Sequence, residues 1–195
     1  MIRWEYSEGA TPIDQDEAEG LIPDHIQTSR DLDEWEQRNI IVAIAWLEKT
    51  RPTEILNEAF FKELHRRMFN RVWRWAGTFR QTDKNIGGPW YQIAPRLKNL
   101  CEDTLLWIKN RTDPEDEIAV RFHHRLVQIH PFPNGNGRHA RLLADLLLEN
   151  VLDRPKFTWG GGKLTDPGEA RKRYIAALKA ADNHDSQPLL AFARS

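Results

Sequence analysis

From residue 31 onward, apolar positions recur three and four apart, the repeat of helices with one buried face. Leu32, Trp35, Val42, Ala43 and Trp46 mark a first helix over about Asp31–Lys49, with Asp31 and Glu34 spaced as a cap. Pro52 separates it from a second, which Thr53 can cap and whose face is Leu56, Phe60, Leu64 and Met68. Leu97, Leu100, Cys101, Thr104 and Ile108 line a third, with Pro95 in its first turn. Asp113-Pro114-Glu115-Asp116 opens a fourth, and Ile118, Phe122, Leu126 and Ile129 share its face. Pro131 disfavours helical geometry at His130, so that helix ends there. The run RHARLLADLLLEN, from Arg138, is apolar nearly all round and predicts a central, buried helix. Asp166-Pro167 starts another, with Ala170, Tyr174, Ala177, Leu178 and Ala181 on one face, and a short helix follows Pro188.

Three stretches break the pattern. Residues up to about Thr28 are acidic, contain Pro12 and Pro23, and predict an extended arm with at most one short turn. Val72 to Tyr91, with Gly77, Gly87, Gly88 and Pro89, has the composition of a loop and hairpin. Gly160 to Gly162 predict a flexible loop. The expectation is an all-α domain of about six helices with at most one hairpin.

Composition narrows the classes. A chain of 195 residues suits one domain. Its 28 Lys and Arg against 29 Asp and Glu give a net charge of -1, which speaks against direct nucleic-acid binding and a helix-turn-helix DNA binder. A single cysteine, Cys101, excludes an intramolecular disulfide framework and a Cys-rich zinc site. His123, His124, His130 and His139 lack the spacing of a zinc motif, and His123 and His124, adjacent on a helix, point in different directions. No apolar run approaches the ~18 residues of a membrane span, and the N-terminal stretch has no signal-like apolar core. The expectation is a soluble, cytoplasmic protein that does not engage a membrane.

One segment carries chemistry: HPFPNGNGRHAR, His130 to Arg141. A histidine at a helix end is followed by a turn of residues that tolerate unusual backbone angles, and the turn leads straight into a helix N-terminus. Amides there lack helical partners and the helix dipole favours anions. Arg138 and Arg141, three apart, lie on one side of that helix. The features describe an anion cradle with a histidine beside it. The loop is not a Walker A sequence, which would need GxxxxGK[ST], nor a dinucleotide fingerprint, since a helix precedes it.

The segment resembles the motif of the Fic family, HxFx(D/E)GNGRxxR, at every specified position but one. WRWAGTFR, Trp73 to Arg80, is similar to the WAGxxR segment upstream in many Fic proteins, and Arg171 to Phe192 resembles the family's closing region. The resemblance covers roughly Thr53 to Phe192, and the whole chain looks like the subgroup called mobile mystery protein B. It implies three parts: an N-terminal arm over 1–30, a helix over 31–52 that could be regulatory, and a Fic-type helical domain with a small β-hairpin flap over 53–195.

By this resemblance the chain is a protein adenylyltransferase, moving AMP from ATP to a Ser, Thr or Tyr hydroxyl of a target protein. His130 would be the general base, a role suited to imidazole. Phe132 would anchor the loop. Gly135, Asn136 and Gly137 would form the phosphate-binding turn, and Arg138 and Arg141 would grip phosphates with fork-shaped guanidinium groups. Asn134 stands where the family carries an acid that binds Mg²⁺; its amide brings no charge, so metal affinity should be weaker, with Mn²⁺ an alternative. Ile86, Trp90 and Tyr91 are candidates for a flap that aligns a target segment by strand pairing. Many Fic proteins also carry an inhibitory glutamate that pairs with the second motif arginine, here Arg141. Glu36 and Glu34 are the candidates, although the (S/T)xxxE(G/N) pattern is not met and Glu34 has Arg38 at i+4. Alternatives on the same fold are phosphotransfer, removal of AMP, or a catalytically silent nucleotide-binding module of a toxin–antitoxin system, with an antitoxin as partner.

Overall fold

A computed structural model describes residues 12–161 and 168–195. Its regular structure is helical: α1 (Gln15–Ala18), α2 (Ser29–Thr50), α3 (Glu58–Phe69), α4 (Ile93–Asn110), α5 (Glu115–Ile129), α6 (Asn136–Leu146), α7 (Glu169–Asp182) and α8 (Gln187–Ala193). α6 runs on into a wider π turn over Leu147–Val151. Among the described residues the only β-type pairing is an isolated bridge between Leu21 and Trp73.

Helix starts follow local hydrogen bonding. α2 is capped by Thr28, whose Oγ1 accepts from the Asp31 N–H at 3.1 Å while the Asp31 carboxylate accepts from the Thr28 N–H at 2.9 Å. Asp31 is thus the third helical residue, not the cap. α3 begins five residues later than Thr53: Asn57 is its cap, accepting from the Phe60 N–H at 2.8 Å. α5 begins after Pro114, which offers no side-chain cap. The expected start at Asp166-Pro167 and Gly162 of the glycine run lie outside the described residues.

α6 is the central helix. Ala140, Leu143, Ala144, Leu146, Leu147 and Leu148 are all buried, and the helix packs on α5 and α3. α2 lies against α3, and α7 pairs with α8. Asn150, on the π turn, donates to the Pro52 carbonyl at 2.9 Å and so ties the end of α6 to the α2–α3 link. Cys101 is buried in the core, and burial pushes its thiol up to about 11, so it stays protonated.

The expected hairpin does not form. Residues 81–89 are bends and turns, followed by a single 3₁₀ turn at Trp90–Gln92. The reason lies in Arg80 and Asp83. The buried Arg80 side chain donates to the carbonyls of Thr82, at 2.8 Å, and Gly88, and the Asp83 carboxylate accepts from the Trp90 N–H at 2.8 Å, so side chains rather than a backbone ladder join the two arms of the loop. From residue 12 on, the N-terminal arm carries the short turn α1 and is bound next to Trp73: Ile22 and Arg74 N–H groups donate to Val72 and Gly20 carbonyls, both at 2.8 Å.

Candidate active site

The site is built where α5 stops and α6 starts. His130 leaves α5 with φ 54° and ψ 60°, a left-handed conformation uncommon for a residue with a side chain. Its N–H still reaches the Leu126 carbonyl at 3.2 Å, and its own carbonyl accepts from Arg80 Nε at 2.7 Å. The loop that follows is closed by Asn136, which accepts from the Phe132 N–H at 2.9 Å and donates to the Phe132 carbonyl at 2.8 Å. Gly135 caps α6 at φ 77°, and a Cβ there would sit 2.5 Å from the Phe69 ring, so only glycine fits.

His65 fixes the loop from below. Its ring stacks on Phe132 at 3.7 Å. Its Nδ1 accepts from the Gly77 N–H and its Nε2 donates to the Asn134 carbonyl, each at 3.0 Å. The ring must therefore be neutral, and burial holds its pKa well below the usual imidazole range.

His130 is also neutral. Burial, and then the charge of Arg80, push it down to about 4, against a hydrogen bond to the Val127 backbone that raises it. It is 6% exposed, because the loop after Arg80 lies over it. A Cβ on Gly87 would fall 2.8 Å from the His130 Cβ and 2.9 Å from Arg80 Nη2. Glycine at φ 98° is what lets the loop approach this closely.

Arg138 and Arg141 project from the first turns of α6. Arg138 lies 5.0 Å over the Phe69 ring and pairs with Glu36 of α2 at 2.6 Å. The other Glu36 oxygen accepts from Trp73 Nε1 at 2.6 Å. Arg138 Nη1 is buried and has no hydrogen-bond partner. Arg141 lies 5.3 Å over the ring of Tyr174. A Cβ on Gly137 would be 3.7 Å from Arg141 Nη1 and 3.9 Å from Tyr174 Oη, so helix start, arginine and tyrosine meet at one mouth. Tyr174 is held in turn by His123 Nε2 at 2.9 Å.

A third guanidinium belongs here that the motif does not contain. Arg171 sits one turn before Tyr174 on α7, and burial followed by the charges of Arg141 and Arg138 lowers its pKa. Its i, i+3 spacing from Tyr174 was the available signal.

The remaining expected residues divide. Glu36 is buried at 3% exposure and engages the first motif arginine, Arg138, rather than Arg141. Glu34 is on the surface and pairs with Arg30 at 3.4 Å, not with Arg38. Trp90 and Tyr91 are exposed, at 42% and 65%, and Ile86 is half-buried. The Asp145 carboxylate accepts from Trp159 Nε1 and the Phe157 N–H. His124 faces Asp182 while His123 is interior.

Residues 55–148 match the family model described as Fic/DOC family. The chain carries a Fic domain. It is 32% identical to "Protein adenylyltransferase fic-1" of Caenorhabditis briggsae over 137 residues, 67% of this chain and 25% of that protein. The chain thus spans about a quarter of the length of the curated relatives it matches. Among solved structures it is similar to Fic-1 from C. elegans, with 25% identity, a TM-score of 0.66, and coverage of 91% of this chain and 51% of that one. It is also similar in fold to BepC of Bartonella tribocorum with bound AMPPNP, with 18% identity, a TM-score of 0.65, and coverage of 93% and 97%.

Two candidate ligands fit this geometry unequally. A nucleotide polyphosphate fits: α6 presents its N-terminal amides, Arg138 keeps a buried donor without a partner, and Arg141 stands beside them. A protein-held Mg²⁺ does not fit. Asn134 offers one neutral amide oxygen, and that oxygen accepts the Gly135 N–H at 2.6 Å. Among the described residues no cluster of three or more His, Cys, Asp or Glu could hold a metal ion. Mg²⁺ sites are ordinarily built on carboxylates plus phosphate.

Proposed function

We propose that this Fic domain is a protein adenylyltransferase that transfers AMP from ATP to a Ser, Thr or Tyr hydroxyl of a target protein. The carrying observation is a neutral imidazole at the mouth of a helix N-terminus whose first arginine has a buried donor to spare. In the proposed reaction His130 takes the proton of the target hydroxyl. The hydroxyl oxygen bonds to the α-phosphorus, the α–β P–O bond breaks, and pyrophosphate leaves. The amides of Asn136 and Gly137, with Arg138 and Arg141, balance charge on the phosphates. A polyanion bound beside His130 would raise its basicity, opposing the lowering by burial and Arg80. The names of the relatives and the AMPPNP in the BepC structure support this reading. Trp90 and Tyr91, which are exposed, and Ile86 are the proposed contact for the target segment, through an irregular loop rather than a paired strand. A cytoplasmic setting accords with ATP as donor, with the single cysteine, and with the absence, among the described residues, of any helix long and apolar enough to cross a membrane.

The Glu36–Arg138 pair favours a second element of the reading: α2 restrains the site. Glu36 occupies one of the arginines that phosphate needs, and Trp73 fixes its other oxygen. A separate antitoxin is a further candidate partner.

The test is incubation of wild type, His130→Ala and Glu36→Gly with α- or γ-labelled ATP and lysate. Protein label from the α-phosphate alone, absent in His130→Ala and raised at least tenfold in Glu36→Gly, is the expected result. Label from the γ-phosphate would replace this reading with phosphotransfer. Silence in all three, with nucleotide still bound, would make the chain a non-enzymatic nucleotide module.

A further inference from the structure

We propose that this site binds ATP without a divalent cation held by the protein, the nucleotide's charge being met by Arg138, Arg141 and Arg171 and by the α6 N-terminus. This rests on the nucleotide reading above. Three observations carry it. First, the residue at the metal position, Asn134, has a neutral oxygen already accepting the Gly135 N–H at 2.6 Å. A metal there would share an oxygen that is already hydrogen-bonded and would gain no full charge from it. Second, Arg138 Nη1 is a buried donor without a hydrogen-bond partner, and its guanidinium seeks an anion and repels a cation. Third, Arg171 adds a positive group to the same mouth. It shares a helix face with Tyr174, whose hydroxyl borders Gly137 and Arg141, and the charges of Arg141 and Arg138 act on it. The carboxylate that faces them, Glu36, is consumed by Arg138 and Trp73; Asp33 acts on Arg171 from α2. The local field therefore favours the more highly charged, metal-free nucleotide, which carries about two more negative charges than its Mg²⁺ complex.

The experiment is calorimetric titration of ATP into wild type and Asn134→Asp, with excess EDTA or with Mg²⁺. Wild type should bind within about threefold in the two conditions, or more tightly in EDTA. Asn134→Asp places a carboxylate against the phosphates, so it should lose at least tenfold in EDTA and recover with Mg²⁺. A tenfold loss for wild type in EDTA overturns the proposal, as does an aspartate variant that behaves like wild type. If the aspartate variant does not fold, Arg171→Ala reads the same balance. It should weaken metal-free ATP about tenfold and Mg²⁺–ATP less, and an equal loss in both overturns the proposal. No ATP binding by wild type or Glu36→Gly in either condition instead overturns the nucleotide reading itself.

Discussion

The loop from His130 to Asn136 and the loop from Arg80 to Tyr91 face each other across one imidazole, yet they are held in opposite ways. The first is tied by its own residues and its floor: Asn136 bonds both polar groups of Phe132, and His65 bridges Asn134 and Gly77. The second is tied by its own charged side chains, some of which reach out of the loop. Arg80 takes its carbonyls, Asp83 accepts from the Trp90 N–H at 2.8 Å, and Lys84 reaches back to Asp14, the cap of α1, and to Glu17 within it, each at 2.6 Å. The contrast separates an element locked by short-range bonds from a covering element whose position depends on tethers to the N-terminal arm. In the proposed reaction the covering element must yield to admit a target hydroxyl to His130, which is buried beneath it.

Acid should expose the contrast most strongly. His65, His123, His130 and His139 are buried and neutral, the last three with pKa values of about 3, 4 and 3 for His123, His130 and His139. Each value is below that of the unfolded chain, so the unfolded state binds more protons and stability falls as pH drops from about 6.5 toward 4. The loss is up to about 1.4 kcal/mol per pH unit for each group. Asp145, pushed up to about 7 by burial, acts the other way, its effect being lost as pH rises to 7, and one group does not offset four. Urea midpoints across pH 4–7 check this, and a flat profile would refute it.

Asn136→Ala comes next. It leaves the buried Phe132 N–H and carbonyl without partners, a loss of about 2–4 kcal/mol, and should abolish α-phosphate labelling even where the fold survives. Arg80→Leu should cost less globally, about 2 kcal/mol, but its effect should concentrate in residues 82–89. Hydrogen exchange there should accelerate well before exchange in the His130 loop; uniform acceleration would show that the two loops are one unit. The smallest effect belongs to Lys84→Ala, about 1 kcal/mol, since the two carboxylates it leaves, Asp14 and Glu17, are partly open to solvent. Because the Lys84 charge helps depress His130, the His130 pKa should rise in an NMR titration.

The same division explains what was legible in the sequence. The helices of the core followed from periodicity, and the cradle from twelve contiguous residues whose constraints are mutual. Gly135 and Asn136 announce the turn because their partners, Phe69 apart, lie within the motif. The hairpin expectation failed because turn composition says nothing of a guanidinium that captures both arms. Thr53 failed as a cap because Asn57 lay closer to the first buried residue of α3. Glu36 could be named but its partner could not: α2 enters at an angle that brings it to Arg138, a fact of helix packing rather than of spacing. Arg171 was hidden for the same reason.

The left-handed backbone at His130 bears on how such a chain would drift. A side chain at φ 54° is tolerated at a cost that glycine or asparagine would avoid, and its burial as an imidazole adds the acid sensitivity described above. Against those costs stands the hydrogen bond of its ring to the Val127 backbone. A lineage released from the proposed reaction would be free to exchange it, and would keep Gly135 and Asn136, which close the turn in either case.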